Sequence, residues 1–221
     1  MTMTRDLRKL VFIAHVASSA GWMGAVMVFL ALALLGLTSQ DEGTVRGAYL
    51  VMAPAAWLVL VPLAHASLLT GIALSLGTAW GLLQHYWIVL KLAITVFATA
   101  VLLIYMGTFR EMARIAADPV VDLATVRNAS PVVHAIVALF LLALATVLAV
   151  YKPLGLTAYG SRKRDEQVHA SSRTPVVRGT TVEAIEALRQ GDRSVVWIVI
   201  ALGVALLVLG LLHLRGASLG H

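Results

Sequence analysis

Histidine is the residue type in this chain with the most chemistry open to it. There are seven: His15, His65, His85, His134, His169, His213 and His221. Four of them, His15, His65, His134 and His213, fall inside long apolar runs that contain no carboxylate. His65 stands in "VPLAHASLLTG" (61–71), within a stretch from Gly47 to Leu90 free of Asp, Glu, Lys and Arg. An ionisable group in a membrane span is costly unless partnered, so it marks function by default. A neutral imidazole there has two outlets. It can donate to a backbone carbonyl or to a nearby hydroxyl (Ser18, Ser19, Ser67 and Thr70 are at hand), or it can bind a metal. For one histidine the hydrogen bond is the commoner outcome. Four, spread over four helices, shift the weight towards a shared ligand.

The elements that carry them are apolar runs of 18 residues or more, which read as membrane-spanning helices. The expected fold class is all-α: an integral membrane bundle of five transmembrane helices in one domain, 1–221. The spans run over about 10–38, 49–76, 88–109, 131–151 and 195–214. Pro54 and Pro62 should kink the second, since each removes a backbone donor. The fourth should start with Ser130 as N-cap and Pro131 in its first turn. With about 1.5 Å of rise per residue, His134 and His213 fall roughly 10 and 13 Å to one side of the bilayer centre. On the same scale His15 and His65 fall roughly 12 and 4 Å to the other. Two histidine pairs at two depths is the arrangement of dihaem b-type membrane cytochromes, in which imidazoles from facing helices bind iron axially. Gly21 and Gly71 each follow a histidine by six positions, so in an antiparallel pair each glycine would lie level with the other helix's histidine and leave room for a macrocycle.

Composition points the same way. Sixty per cent of residues are apolar and 13% charged, and the mean hydropathy is +0.89, outside the soluble globular range. The net charge of +6 is distributed as a topology signal, which excludes nucleic acid. Arg5, Arg8, Lys9, Lys91, Lys152, Arg162, Lys163, Arg164, Arg173, Arg178, Arg189 and Arg193 fall on one side, and the segment 110–127 carries three charges of each sign. The positive-inside rule then places the N-terminus inside and the C-terminus outside. In the long cytoplasmic basic loop, 152–194, the part 161–179 reads as flexible or resting on anionic headgroups. Thr180 and Glu183 in capping-box spacing, with Gly191 as a stop, predict a short amphipathic helix over 181–190. His85, among Trp80, Tyr86 and Trp87, belongs to an interfacial aromatic belt. The absence of cysteine excludes disulfides and thiolate metal sites.

"HVASSAGWMGAVMV" (15–28), "PLAHASLLTGIAL" (62–74) and "WIVLKLAITV" (87–96) resemble the first three helices of small bacterial integral membrane proteins. These form a predicted family of unknown function, distantly similar to the membrane part of copper-resistance D proteins. The resemblance covers about the first 110 residues. It implies a multi-pass protein of the bacterial plasma (inner) membrane, with His15, Trp22, Gly24, His65 and Lys91 as family-like positions. It implies no activity, and the long basic loop and fifth helix depart from the shorter members.

The leading expectation is a haem-binding electron-transfer protein with one or two haem b. Its ligands are His15, His65, His134 and His213, with Lys91 or Arg215 near the propionates. Its partners are the lipid bilayer and quinone or another membrane redox subunit, in a homo- or hetero-oligomer. One alternative is copper handling, with imidazole and thioether ligands and Met23 and Met27 one turn apart on the first helix. Another is an accessory subunit of a larger membrane complex. No phosphate-binding loop, HExxH or nucleophile elbow is present, so a soluble-type catalytic site is not expected.

Overall fold

The computed structural model describes residues 3–77, 82–152 and 155–171. Over these residues the chain is helical: α1 (Arg5–Thr38), α2 (Glu42–Ala55), a π-helical segment (Ala56–Leu60) and α3 (Val61–Leu76) are followed by α4 (Tyr86–Ala117), α5 (Leu123–Val126), α6 (Ser130–Tyr151) and α7 (Ala158–Ser171). Four rods are long and apolar enough to cross a membrane: α1, the continuous run Glu42–Leu76, α4, and Leu123–Tyr151. The all-α class therefore stands, with four helices of membrane-spanning length among the described residues. The fifth expected span (195–214), with His213 on it, and the amphipathic helix expected over 181–190 lie outside the described residues.

The rods overrun the apolar stretches that signalled them. α4 continues through Arg110, Glu111 and Arg114 to Ala117. Charged residues are good helix formers, and Arg114 Nη2 meets Glu111 Oε1 at 2.6 Å one turn away. The second rod starts at Glu42, where the Asp41 carboxylate caps it by accepting from Thr44 N at 2.7 Å. The expected proline kinks resolve into one π-helical segment. Pro62 has no N–H to give to the carbonyl four residues back, and the backbone widens there, with Val61 N–H bonded to Ala56 O. The start of α6 also differs from expectation. Ala129 occupies the cap position and makes no side-chain cap bond, while Ser130 N–H donates to Asn128 Oδ1. The Ser130 hydroxyl is thereby released for another use.

The core is built from one stripe per helix. On α1 the buried positions are Ser18, Trp22, Val26, Phe29, Ala33 and Gly36, three or four apart. They pack on Val45, Tyr49 and Met52 of α2 and on Tyr105, Met106, Phe109 and Met112 of α4. Phe29 and Tyr105 both meet Phe109 edge-on, with ring centroids 5.5 and 4.9 Å away. The opposite faces are apolar too: Phe12, Ile13, Val16, Leu58, Leu69 and Ile104 are exposed. Helices apolar on both faces are compatible with lipid contact. Hydroxyls inside the rods are satisfied locally, as Thr70, Ser75, Thr95, Thr99 and Thr146 each donate to the carbonyl one turn back.

Both ends of the bundle are tied. At the end away from the N-terminus, Arg46 caps the C-terminus of α4, donating through Nη1 to Asp118 O (2.8 Å) and through Nη2 to Val121 O (2.7 Å). Arg127 does the same for α1, reaching Leu37 O and Ser39 O. Tyr49, fully buried, accepts from Asn128 N and donates to Asn128 O. A Cβ on Gly36 would sit 2.8 Å from the Tyr49 ring, so only glycine fits beneath it. At the N-terminal end, Thr157 N–H donates to Gln84 O, and Gly160 is pressed against that same carbonyl with no space for a Cβ. This docking starts α7. The segment expected to be flexible from 161 is thus helical through Ser171.

Candidate functional site

His15 projects from α1 onto α3. Its Nδ1 lies 3.1 Å from Ser67 O and 3.1 Å from Thr70 Oγ1. A carbonyl only accepts, so Nδ1 carries the proton. The Thr70 hydroxyl gives its own proton to Ala66 O and accepts from the ring as well. Ser18 Oγ donates to His15 O, and Ser19 Oγ meets Ser67 Oγ at 2.8 Å. The ring rests on Gly71, where an added Cβ would approach Cε1 to 3.1 Å. Lys91, on the second turn of α4, is partly buried.

The expected pairing of glycines with histidines is half realised. Gly71 lies under the imidazole of His15, but Gly21 faces the Leu63 side chain rather than His65. The space at Gly71 is used by the imidazole itself, so α1 and α3 touch there instead of leaving a gap for a macrocycle. His15 contacts residues 67, 70 and 71, so its ring stands about one turn, roughly 6 Å, from the level of His65 towards the N-terminal end of the bundle, against roughly 8 Å between the two expected depths.

His65, half-buried on α3, donates from Nδ1 to Val61 O at 2.8 Å. His134, on α6 at the opposite end of the bundle, donates from Nδ1 to Ser130 O at 2.8 Å. The Tyr105 ring stacks on His134 with centroids 4.1 Å apart. Its hydroxyl donates to Ser130 Oγ (2.8 Å), which lies 3.3 Å from His134 Nδ1. Of the four candidate ligands, the structure places His15 and His65 on neighbouring turns of one helix pair and His134 away from both. His213 is outside the described residues.

Tyr105, Arg46 and Arg127 were not singled out by sequence reasoning. A tyrosine inside the apolar run "VLLIYMG" was the available signal, because a buried phenol needs a partner. His85, expected in an interfacial aromatic belt, stands at one end of the bundle. It precedes α4, 6.3 Å from the Trp87 ring and bridged to Leu156. Of the methionines considered for copper, Met23 packs against the core while Met27 is exposed on the outer face. Among the described residues no three His, Cys, Asp or Glu side chains cluster for a metal ion.

No family model, no curated protein and no solved structure matches this chain.

Proposed function

We propose that the chain is a multi-pass protein of the bacterial plasma membrane, N-terminus inside, that binds haem b and passes electrons to or from quinone or a partner redox subunit. One observation carries the reading. Each of the three described candidate imidazoles commits its Nδ1 proton to a backbone carbonyl, which leaves Nε2 as the basic nitrogen. Metal-binding histidines are held in this way: the bond fixes the tautomer, aims the ring and raises its basicity. Bound haem would supply a one-electron couple within the bilayer. The chain's part is to orient His15, His65, His134 and His213, exclude water through the apolar core, and keep carboxylates out of the spans. The direct α1–α3 contact means that a haem held by His15 or His65 would lie alongside this helix pair, not between its members.

Optical spectroscopy of the detergent-purified full chain tests the proposal. The expected result is a coloured protein with reduced-minus-oxidised b-type bands, which His15→Ala, His65→Ala, His134→Ala or His213→Ala diminishes. A colourless protein that takes up no added haem overturns it. The imidazoles are then structural hydrogen-bond donors, His15 between α1 and α3 and His65 and His134 within their own helices.

A further inference from the structure

The bond from His134 Nδ1 to Ser130 O lies within α6. A bond of that kind fixes one atom of an imidazole, but rotation about the Cβ–Cγ bond is soft, so the plane of the ring can still swing. A ligand nitrogen needs both its tautomer and its direction set. His65 shows the incomplete case. It makes the same own-helix bond, to Val61 O, and among the described residues it has neither a stacked ring nor a partner on another helix.

At His134 the neighbouring helix α4 supplies the rest. The Tyr105 ring lies against the imidazole, with centroids 4.1 Å and planes 29° apart. Its hydroxyl donates to Ser130 Oγ at 2.8 Å, and that oxygen stands 3.3 Å from His134 Nδ1. Since Nδ1 gives its proton to a carbonyl, Ser130 Oγ can face it only as a second acceptor. With the Tyr105 proton on one lone pair of that oxygen, the other is left for Nδ1–H. Tyr105 is itself immobilised. It is 4% exposed, and Phe109 meets it edge-on at 4.9 Å.

We propose that Tyr105 is the positioning residue of His134: its ring sets the plane of the imidazole, and its hydroxyl, through Ser130, keeps the proton on Nδ1. The role rests on the reading of His134 as a haem ligand, whose direction it fixes.

NMR of the full-length apoprotein in detergent, with ring-labelled histidine assigned through His65→Gln and His134→Gln, tests this without haem. In the unmutated protein His134 should show one rigid, Nδ1-protonated state, while the His65 ring reorients. Tyr105→Leu, which removes both stack and hydroxyl, should cost His134 that single state. Tyr105→Phe keeps the stack, so the plane should hold and only the Nδ1 signal should shift, as it should in Ser130→Ala. Equal ring mobility at His65 and His134 in the unmutated protein overturns the proposal, whatever the variants do. So does an unchanged His134 spectrum in folded Tyr105→Leu, or an unmoved Nδ1 signal in both milder variants. In haem-loaded protein, Tyr105→Leu should shift the low-spin ferric resonance, which follows the direction of the imidazole planes, and Tyr105→Phe should leave it in place; an unshifted resonance in Tyr105→Leu also overturns the proposal. A chain that binds no haem overturns the ligand reading alone, because the apoprotein spectra decide the part of Tyr105 separately.

Discussion

At the scale of single residues, His15 shows how an imidazole is satisfied without a carboxylate. Its proton is shared between Ser67 O and the Thr70 hydroxyl, and its ring rests on Gly71 because no Cβ intervenes. Gly71→Val would push the ring off α3 and break both bonds. The expected outcome is loss of any absorbance due to His15 together with a drop of about 1–3 kcal/mol in stability, the usual cost of overpacking, read as a lower thermal midpoint. Asp41 permits a pH prediction. Hydrogen bonds from the Thr44 hydroxyl, and then from the Thr44 backbone N–H, hold its carboxyl below the ordinary carboxylate range. A group depressed in the folded state stabilises fully above its unfolded value, near 4, and loses that contribution as pH falls through the folded value. The α1–α2 connection should therefore weaken in acid. Asp41→Asn keeps a capping oxygen, so it should flatten the acid limb of thermal midpoint against pH and leave neutral pH little changed. An unaltered acid limb would show that other carboxylates set it.

At the scale of elements, helix ends matter more than helix middles. α4 and α1 each finish with unsatisfied carbonyls, and an arginine from another element accepts the task at each: Arg46 for Ala116–Val121 and Arg127 for Leu37–Ser39. Hydrogen bonds from a charged donor contribute about 1.5–3 kcal/mol each. Arg46→Ala and Arg127→Ala should thus lower the thermal midpoint far more than Arg110→Ala, whose side chain is exposed. Similar midpoints for all three would remove the latches from the account. The apolar runs mark where the rods lie, yet they miss the ends. α4 gains two turns from charged residues, and the π-helical segment Ala56–Leu60 comes from the single missing donor of Pro62.

At the scale of the whole molecule, the apolar outer faces are compatible with a bilayer, and the proposed orientation puts the N-terminus inside. Because the chain has no cysteine, single-cysteine labelling can read this directly. In intact cells Val120→Cys, 90% exposed in the α4–α5 connection, should react with a membrane-impermeant maleimide. Arg164→Cys on α7 should react only after the cells are opened. The reverse pattern would invert the proposed orientation.

Hydropathy is a property of composition along the chain, so the helical class, the helices of membrane-spanning length through residue 151 and the identity of candidate histidines were legible before any folding was considered. Pairing was not. Whether Gly71 sits under His15, whether Gly21 meets His65 or Leu63, and which carbonyls Arg46 and Arg127 reach all depend on the rotation and offset of each helix against its neighbours. Those are set by side-chain interlocking between residues 50 to 90 positions apart. Helix contact rather than hydropathy decides which turns face each other.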